Sequence, residues 1–167
     1  ALPLGNAAGC DSSIILQLVV DNSCGNSATQ ILLTLENALQ TGCNEFQFDV
    51  YAINNGTTSL AIRGYEFAIH HAPGLANGGT LSASFVSRDT VLNSLPMVNT
   101  NYYPFQQQIR GNTLLSPLNS VPLLSGTPIR LATIKVTTTT SFATNFQPTL
   151  WLQDFYSFGT YQSIVVC

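Results

Sequence analysis

The 167 residues carry 8% charged side chains and a net charge of −3, against roughly 25% charged in an average soluble domain, and the five scattered cations exclude a nucleic-acid footprint, which needs clustered Lys and Arg. No apolar run approaches the roughly 20 residues of a membrane-spanning helix, so solubility falls to 57 Ser, Thr, Asn and Gln residues. A surface of that kind has few ionic interactions to screen and little repulsion for a second copy, which favours packed assemblies and extracellular surfaces.

At this length one domain with a single core is expected. Residues 1–13 are small and turn-rich, and read as an arm. Within 14–20, Ile14, Leu16, Leu18 and Val20 alternate with Ile15, Gln17 and Val19, the period of a strand. Two roles suit it: the first strand of its own sandwich, or a donor strand that completes the sheet of a neighbouring copy. The polar, glycine-containing stretch 21–30 is the linker a donor arm requires. The division is therefore an arm over 1–30 and a sandwich domain over 31–167. Cys10, Cys24, Cys43 and Cys167 are even in number, widely spaced and without a CxxC pair. They predict two disulfides in an oxidising compartment, with all three pairings open and four buried thiols as the alternative. The chain starts at Ala1 with no charged segment leading into an apolar one, so a secretion signal, if there was one, is expected to have been removed already.

Residues 31–41 contain helix formers but alternate at Leu33 and Leu35, and predict a strand. Residues 45–73 predict two long strands joined as a hairpin by an Asn-Asn-Gly-Thr turn. Phe46, Phe48, Val50 and Ala52 share one side of the first, and Tyr65, Phe67 and Ile69 one side of the second. After a turn at Asn77-Gly78-Gly79, a strand over 80–87 is expected, then a long connection over 88–103 with room for a short strand. A strand over 105–115 and a loop over 116–128 with three prolines follow. Residues 129–140 predict the clearest late strand, and 149–158 with 161–166 the last two. Eight or nine short strands without a helix give an all-β fold, an antiparallel β-sandwich of jelly-roll or Greek-key type with an N-terminal extension.

The stretches FQFDVYAIN (46–54), YEFAI (65–69) and NGGTL (77–81) resemble the core of cohesin-like domains from secreted surface proteins of Bacteroidetes and related phyla. These pair an F-x-F-D-V/I-Y-L-x-N strand with a Y/F-x-F-G-I strand and an N-G-G-T-L turn. The segment IRLATIKVTTTTSFATNFQPTLWL is similar to the family's R-I/L-x-x-x-R-L-T-N-T stretch, and the resemblance covers roughly residues 31–158. It implies a fold like that of cohesins and sandwich carbohydrate-binding modules, secretion, and an adhesive or scaffolding role without chemistry. The arm with its cysteines lies outside the pattern, and Lys135 stands near where the family often has arginine.

Few residues suggest chemistry. His70 and His71 are adjacent, so on a strand they point to opposite faces and cannot share a metal in regular geometry. Asp49 and Glu66 sit on neighbouring strands of the predicted hairpin, both on its outward face, and a glycosidase would need two such carboxyls held close together. A surface charge pair balanced by Arg63 or Lys135 is the simpler expectation. Calcium at Asp21-Asn22 would be a weak site, and no EF-hand loop or GxSxG elbow occurs. Trp151, Tyr102, Tyr103, Tyr156 and Tyr161 are candidates for a sugar-stacking platform, or else ordinary core aromatics. Asn55-Gly56-Thr57 is an N-glycosylation sequon, and Thr137 to Thr140 a possible O-glycosylated run.

The expected function is a non-enzymatic, extracellular structural subunit that polymerises with copies of itself, Ile14, Leu16, Leu18 and Val20 entering the next subunit. The alternative is a carbohydrate-binding or adhesive module of a cell-surface assembly, with surface glycans as partners. Neither requires a cofactor or a metal.

Overall fold

The computed structural model describes residues 31–116, 118–142, 146 and 148–152, together with the backbone of 12–14 and 163–166. Eleven strands are present among the described residues: β1 Ser12–Ile14, β2 Ile31–Gly42, β3 Glu45–Asn54, β4 Leu60–His71, β5 Leu81–Ser87, β6 Asn99–Tyr103, β7 Gln108–Asn112, β8 Val121–Leu123, β9 Ile129–Thr138, β10 Leu150–Leu152 and β11 Ser163–Val166. One sheet has the order β1-β2-β3-β9-β5. The other has the order β10-β4-β7-β6, with β8 and β11 also on β4. Every strand pairing is antiparallel, and the all-β sandwich expected from the alternating sequence is the fold found. β5 of one sheet lies beside β6 of the other, and β10 lies beside β2 and β1.

Alternation decides what enters the core. Phe46, Phe48, Val50 and Ala52 of β3, with Ile134 and Val136 of β9, face Phe67, Ile69 and Ile109 of the opposite sheet, all essentially without solvent contact. A pleated strand puts alternate residues on one face, so a half-apolar sequence has one way to bury itself. Bulges break the period at four points in the five-stranded sheet among the described residues. Leu131 is the extra residue between the pairs Val50↔Ala132 and Tyr51↔Arg130, which turns it inward, and Tyr65 Oη donates to its carbonyl at 2.8 Å. Asn37 and Ala38 interrupt the β2–β3 ladder. Asn37 takes φ 56°, a left-handed conformation that asparagine tolerates at a bulge.

The expected 45–73 hairpin is not formed. β3 and β4 pair in different sheets, and residues 55–59 carry the chain across the sandwich as an arch. Asn54 is the reason. Fully buried, it donates through Nδ2 to the carbonyls of Thr58 at 2.7 Å and Leu123 at 3.2 Å, and its Oδ1 accepts from Gly56 N–H at 2.9 Å. These bonds fix a wide turn rather than a two-residue reversal, and the apolar faces of the two strands then meet across the core instead of side by side.

Other boundaries also shift. The expected 105–115 strand shortens to β7, with Phe105 98% exposed in a single 3-10 turn over Pro104–Gln106. The expected 116–128 loop contains β8, in which Pro122 pairs with Ala61. Glu66, Ile69 and Ile62 each have a partner on both sides, so β7 and β8 follow one edge of β4 while β10 and β11 follow the other. β8 is therefore outermost on its edge among the described residues, and a missing N–H costs nothing there. The expected 88–103 connection contains a 3-10 turn over Thr90–Ser94 and β6. Buried Arg88 holds it, donating from Nη1 to Pro96 O and from Nη2 to Leu95 O, both at 2.7 Å. β1 meets the strand expected at 14–20 only at Ile14; residues 15–20 lie outside the described residues.

Candidate functional site

The outer face of the six-stranded sheet is built from the alternate residues that the core does not take. Register sets them in rows. Trp151 of β10 pairs with His70 of β4, His70 with Gln108 of β7, and Gln108 with Tyr103 of β6. Four consecutive strands thus present one continuous row across about 14 Å, at about 4.8 Å per strand. The next row is Ala68, Arg110 and Asn101, and the third is Glu66, Asn112 and Asn99.

Side-chain contacts tie the first row together. The Trp151 and His70 rings stack at 5.7 Å with planes 14° apart, leaving Trp151 38% exposed. Gln108, itself buried, approaches His70 Nε2 with its Nε2 at 3.1 Å, and its Oε1 accepts from Arg110 Nε. An amide nitrogen can only donate, so His70 Nε2 is the acceptor in that bond and its proton is on Nδ1. The Arg110 guanidinium lies 4.4 Å over the Tyr103 ring, a cation–π contact that holds both side chains flat against the sheet. Beside the row is an open depression of about 480 Å³ lined by Glu66, Asn99, Thr100, Asn101, Tyr103, Arg110 and Asn112. Asn99, Asn101 and Asn112 make no side-chain hydrogen bond among the described residues, whereas the Thr100 hydroxyl between Asn99 and Asn101 on β6 is buried without a partner. The three amides are available to a polar ligand.

The expected platform is therefore only partly assembled from the residues proposed for it. Trp151 and Tyr103 are on this face. Tyr102 points the other way, toward buried His71, with its hydroxyl 3.2 Å from Nε2. Tyr156 and Tyr161 lie outside the described residues. His70 and His71 do point to opposite faces. His71 Nδ1 donates to Ala72 O at 2.8 Å, Nε2 accepts from Tyr102, and burial lowers the pKa of the ring below its ordinary value.

Asp49 and Glu66 are in different sheets, which removes the facing carboxylate pair. Asp49 is 7% exposed on the outer face of the five-stranded sheet, accepting from Thr133 Oγ1 at 2.5 Å and Asn37 Nδ2 at 2.8 Å, with Arg130 Nη1 at 4.0 Å. Lys135 meets Glu45 instead, at 3.4 Å, and Arg63 Nε donates to Ser116 O at 3.0 Å. Thr138, Thr139 and Thr140 bond to the turn around Asn77. Asn55 is exposed at the tip of the arch. Cys43 is an exposed free thiol beside the β2–β3 turn, whereas Cys10, Cys24 and Cys167 lie outside the described residues, as do Asp21-Asn22, Leu16, Leu18 and Val20. The backbone of Ile14 pairs with Leu33.

His70, Gln108, Arg110 and the three asparagines are the residues that sequence reasoning did not assign to this face. The signal was present in two short stretches, NTNYY and QIRGN, where polar residues recur with period two. No family model matches the chain, and no curated protein matches it.

Proposed function

We propose that the chain is a secreted, non-enzymatic carbohydrate-binding or adhesive module of a cell-surface assembly, engaging its ligand through the outer face of the six-stranded sheet. The observation that carries this reading is the cross-strand row of Trp151, His70, Gln108 and Tyr103 beside asparagines whose side chains have no hydrogen-bond partner among the described residues. Exposed rings supply apolar faces, and neutral amides supply donors and acceptors, which together match a sugar's apolar ring face and hydroxyl rim. The resemblance of 46–54, 65–69 and 77–81 to cohesin-like surface domains supports the same setting, as does a surface with few charges. Screening the intact chain on a glycan array is the direct experiment. Binding to a defined glycan class is expected, with Trp151→Ala lowering affinity at least tenfold at unchanged melting temperature; an array without signal refutes the reading.

A second reading, a subunit that polymerises by strand donation, rests on a surface with few charges, which offers a second copy little repulsion. Among the described residues β1 pairs with residues 33–35 of its own chain, on the rim of the five-stranded sheet, an edge that donation would require it to leave. Ile14, Leu16, Leu18 and Val20 would then fix register in a neighbour's sheet while the main chain supplies affinity. Electron microscopy of concentrated protein should reveal filaments, and persistent monomers with the arm intact would exclude it. In either reading the four cysteines are proposed to form two disulfides, with Cys43 in one of them, and a non-reduced peptide map checks the pairing.

A further inference from the structure

Taking the binding face as read above, we infer that its ligand is an uncharged, linear glycan lying across the strands along the Trp151, His70, Gln108 and Tyr103 row. Direction follows from where the rings are. Trp151 backed by His70 is at one end, and Tyr103 plated by Arg110 is at the other. Between them Gln108 is buried and flat. It acts as a positioning residue, since its amide holds His70 from one side and Arg110 from the other. A ligand running along a strand would meet only one of these aromatic ends. A ligand running across the strands meets both.

Length follows from the repeat. Strands are about 4.8 Å apart, close to the advance of one pyranose ring in an extended chain, so the row accommodates about three to four sugars. The neighbouring row contains Ala68, a small buried residue. The depression next to it carries Asn101, Asn112, Asn99 and Glu66 along one flank of the row. Hydroxyl groups on that side of the glycan can both donate and accept, as can the asparagine amides.

Charge argues for a neutral ligand. The described face offers one guanidinium and one carboxylate, Arg110 and Glu66, and Arg110 is already engaged with Gln108 and Tyr103. The single lysine of the chain, Lys135, is in the other sheet. Nothing here concentrates positive potential for a polyanion.

Calorimetric titration of the full chain tests this with neutral β-linked glucan, mannan and xylan oligosaccharides, from disaccharide to hexasaccharide, and with a polyuronate series as the charged arm. In the neutral series, affinity is expected to climb at least tenfold from disaccharide to tetrasaccharide and then level off. Both Trp151→Ala and Tyr103→Ala should lower it at least tenfold, and raising sodium chloride to molar concentration should change it less than twofold. Melting curves confirm that each variant is folded, and Tyr103→Phe, which keeps the ring, should retain binding. Several results overturn the inference while leaving glycan binding intact: affinity that saturates at the disaccharide, indifference to Tyr103→Ala, or preference for the polyuronate with steep salt dependence. Absence of binding in every series overturns the inference together with the reading beneath it.

Discussion

His71 illustrates how a single buried side chain sets a response to acid. Its Nδ1 proton is given to Ala72 O and its Nε2 accepts from Tyr102, an arrangement that exists only for the neutral ring. Burial opposes a second proton and lowers the folded-state pKa below the ordinary 6.5. The unfolded chain therefore binds a proton at a pH where the folded chain does not. Stability from this group is complete above pH 6.5, declines as pH falls below that value, and levels off once the folded-state pKa is passed. Melting temperature should accordingly fall between about pH 7 and pH 5, before most carboxylates titrate. His71→Gln should flatten that part of the curve, and an unchanged slope in the variant would show that the sensitivity arises elsewhere. His70, one position earlier, has a different task only because the pleat turns it outward against Trp151.

At the level of elements, the arch over 55–59 determines which residues can share a face. Had β3 and β4 formed a hairpin, Asp49 and Glu66 would have shared one sheet and the core faces would have been coplanar. Asn54 prevents this by satisfying Thr58 O, Leu123 O and Gly56 N–H from one buried side chain. Asn54→Ala removes the partner of all three, at a cost of about 1–3 kcal/mol for the buried Leu123 O and less for Thr58 O and Gly56 N–H, which are only partly buried. Chemical denaturation should show a loss in that range or above, with Asn54→Asp recovering only the Oδ1 bond. Less than about 0.5 kcal/mol would mean the arch is held by packing alone. Arg88 does comparable work for the candidate site. By anchoring Leu95 O and Pro96 O, it brings β6 alongside β7, and with β6 come Asn99, Asn101 and Tyr103.

For the whole molecule, the scarcity of charge limits what salt can do. The described ion pairs are Lys135 with Glu45 at 3.4 Å and Arg130 with Asp49 at 4.0 Å. The first is exposed to solvent, and such pairs contribute little to stability. Unfolding free energy measured at low and at molar sodium chloride should therefore differ by less than about 1 kcal/mol. A larger difference would point to electrostatic coupling through the arm.

The alternating runs 31–41, 45–54, 60–71, 80–87 and 129–140 were legible as strands, and their inward faces could be named, because the pleat gives every strand a period of two whatever it pairs with. The sequence likewise determined the low charge and the even set of cysteines. Partnership was another matter. Each apolar face is satisfied by burial against any other, so periodicity alone could not assign β3 and β4 to opposite sheets, nor admit Pro122 to an outer strand. The candidate face shows the same limit. Its row joins Trp151, His70, Gln108 and Tyr103 from four strands, and only tertiary register, set by bulges and by the bonds of Asn54 and Arg88, decides that side chains so distant in the chain stand side by side.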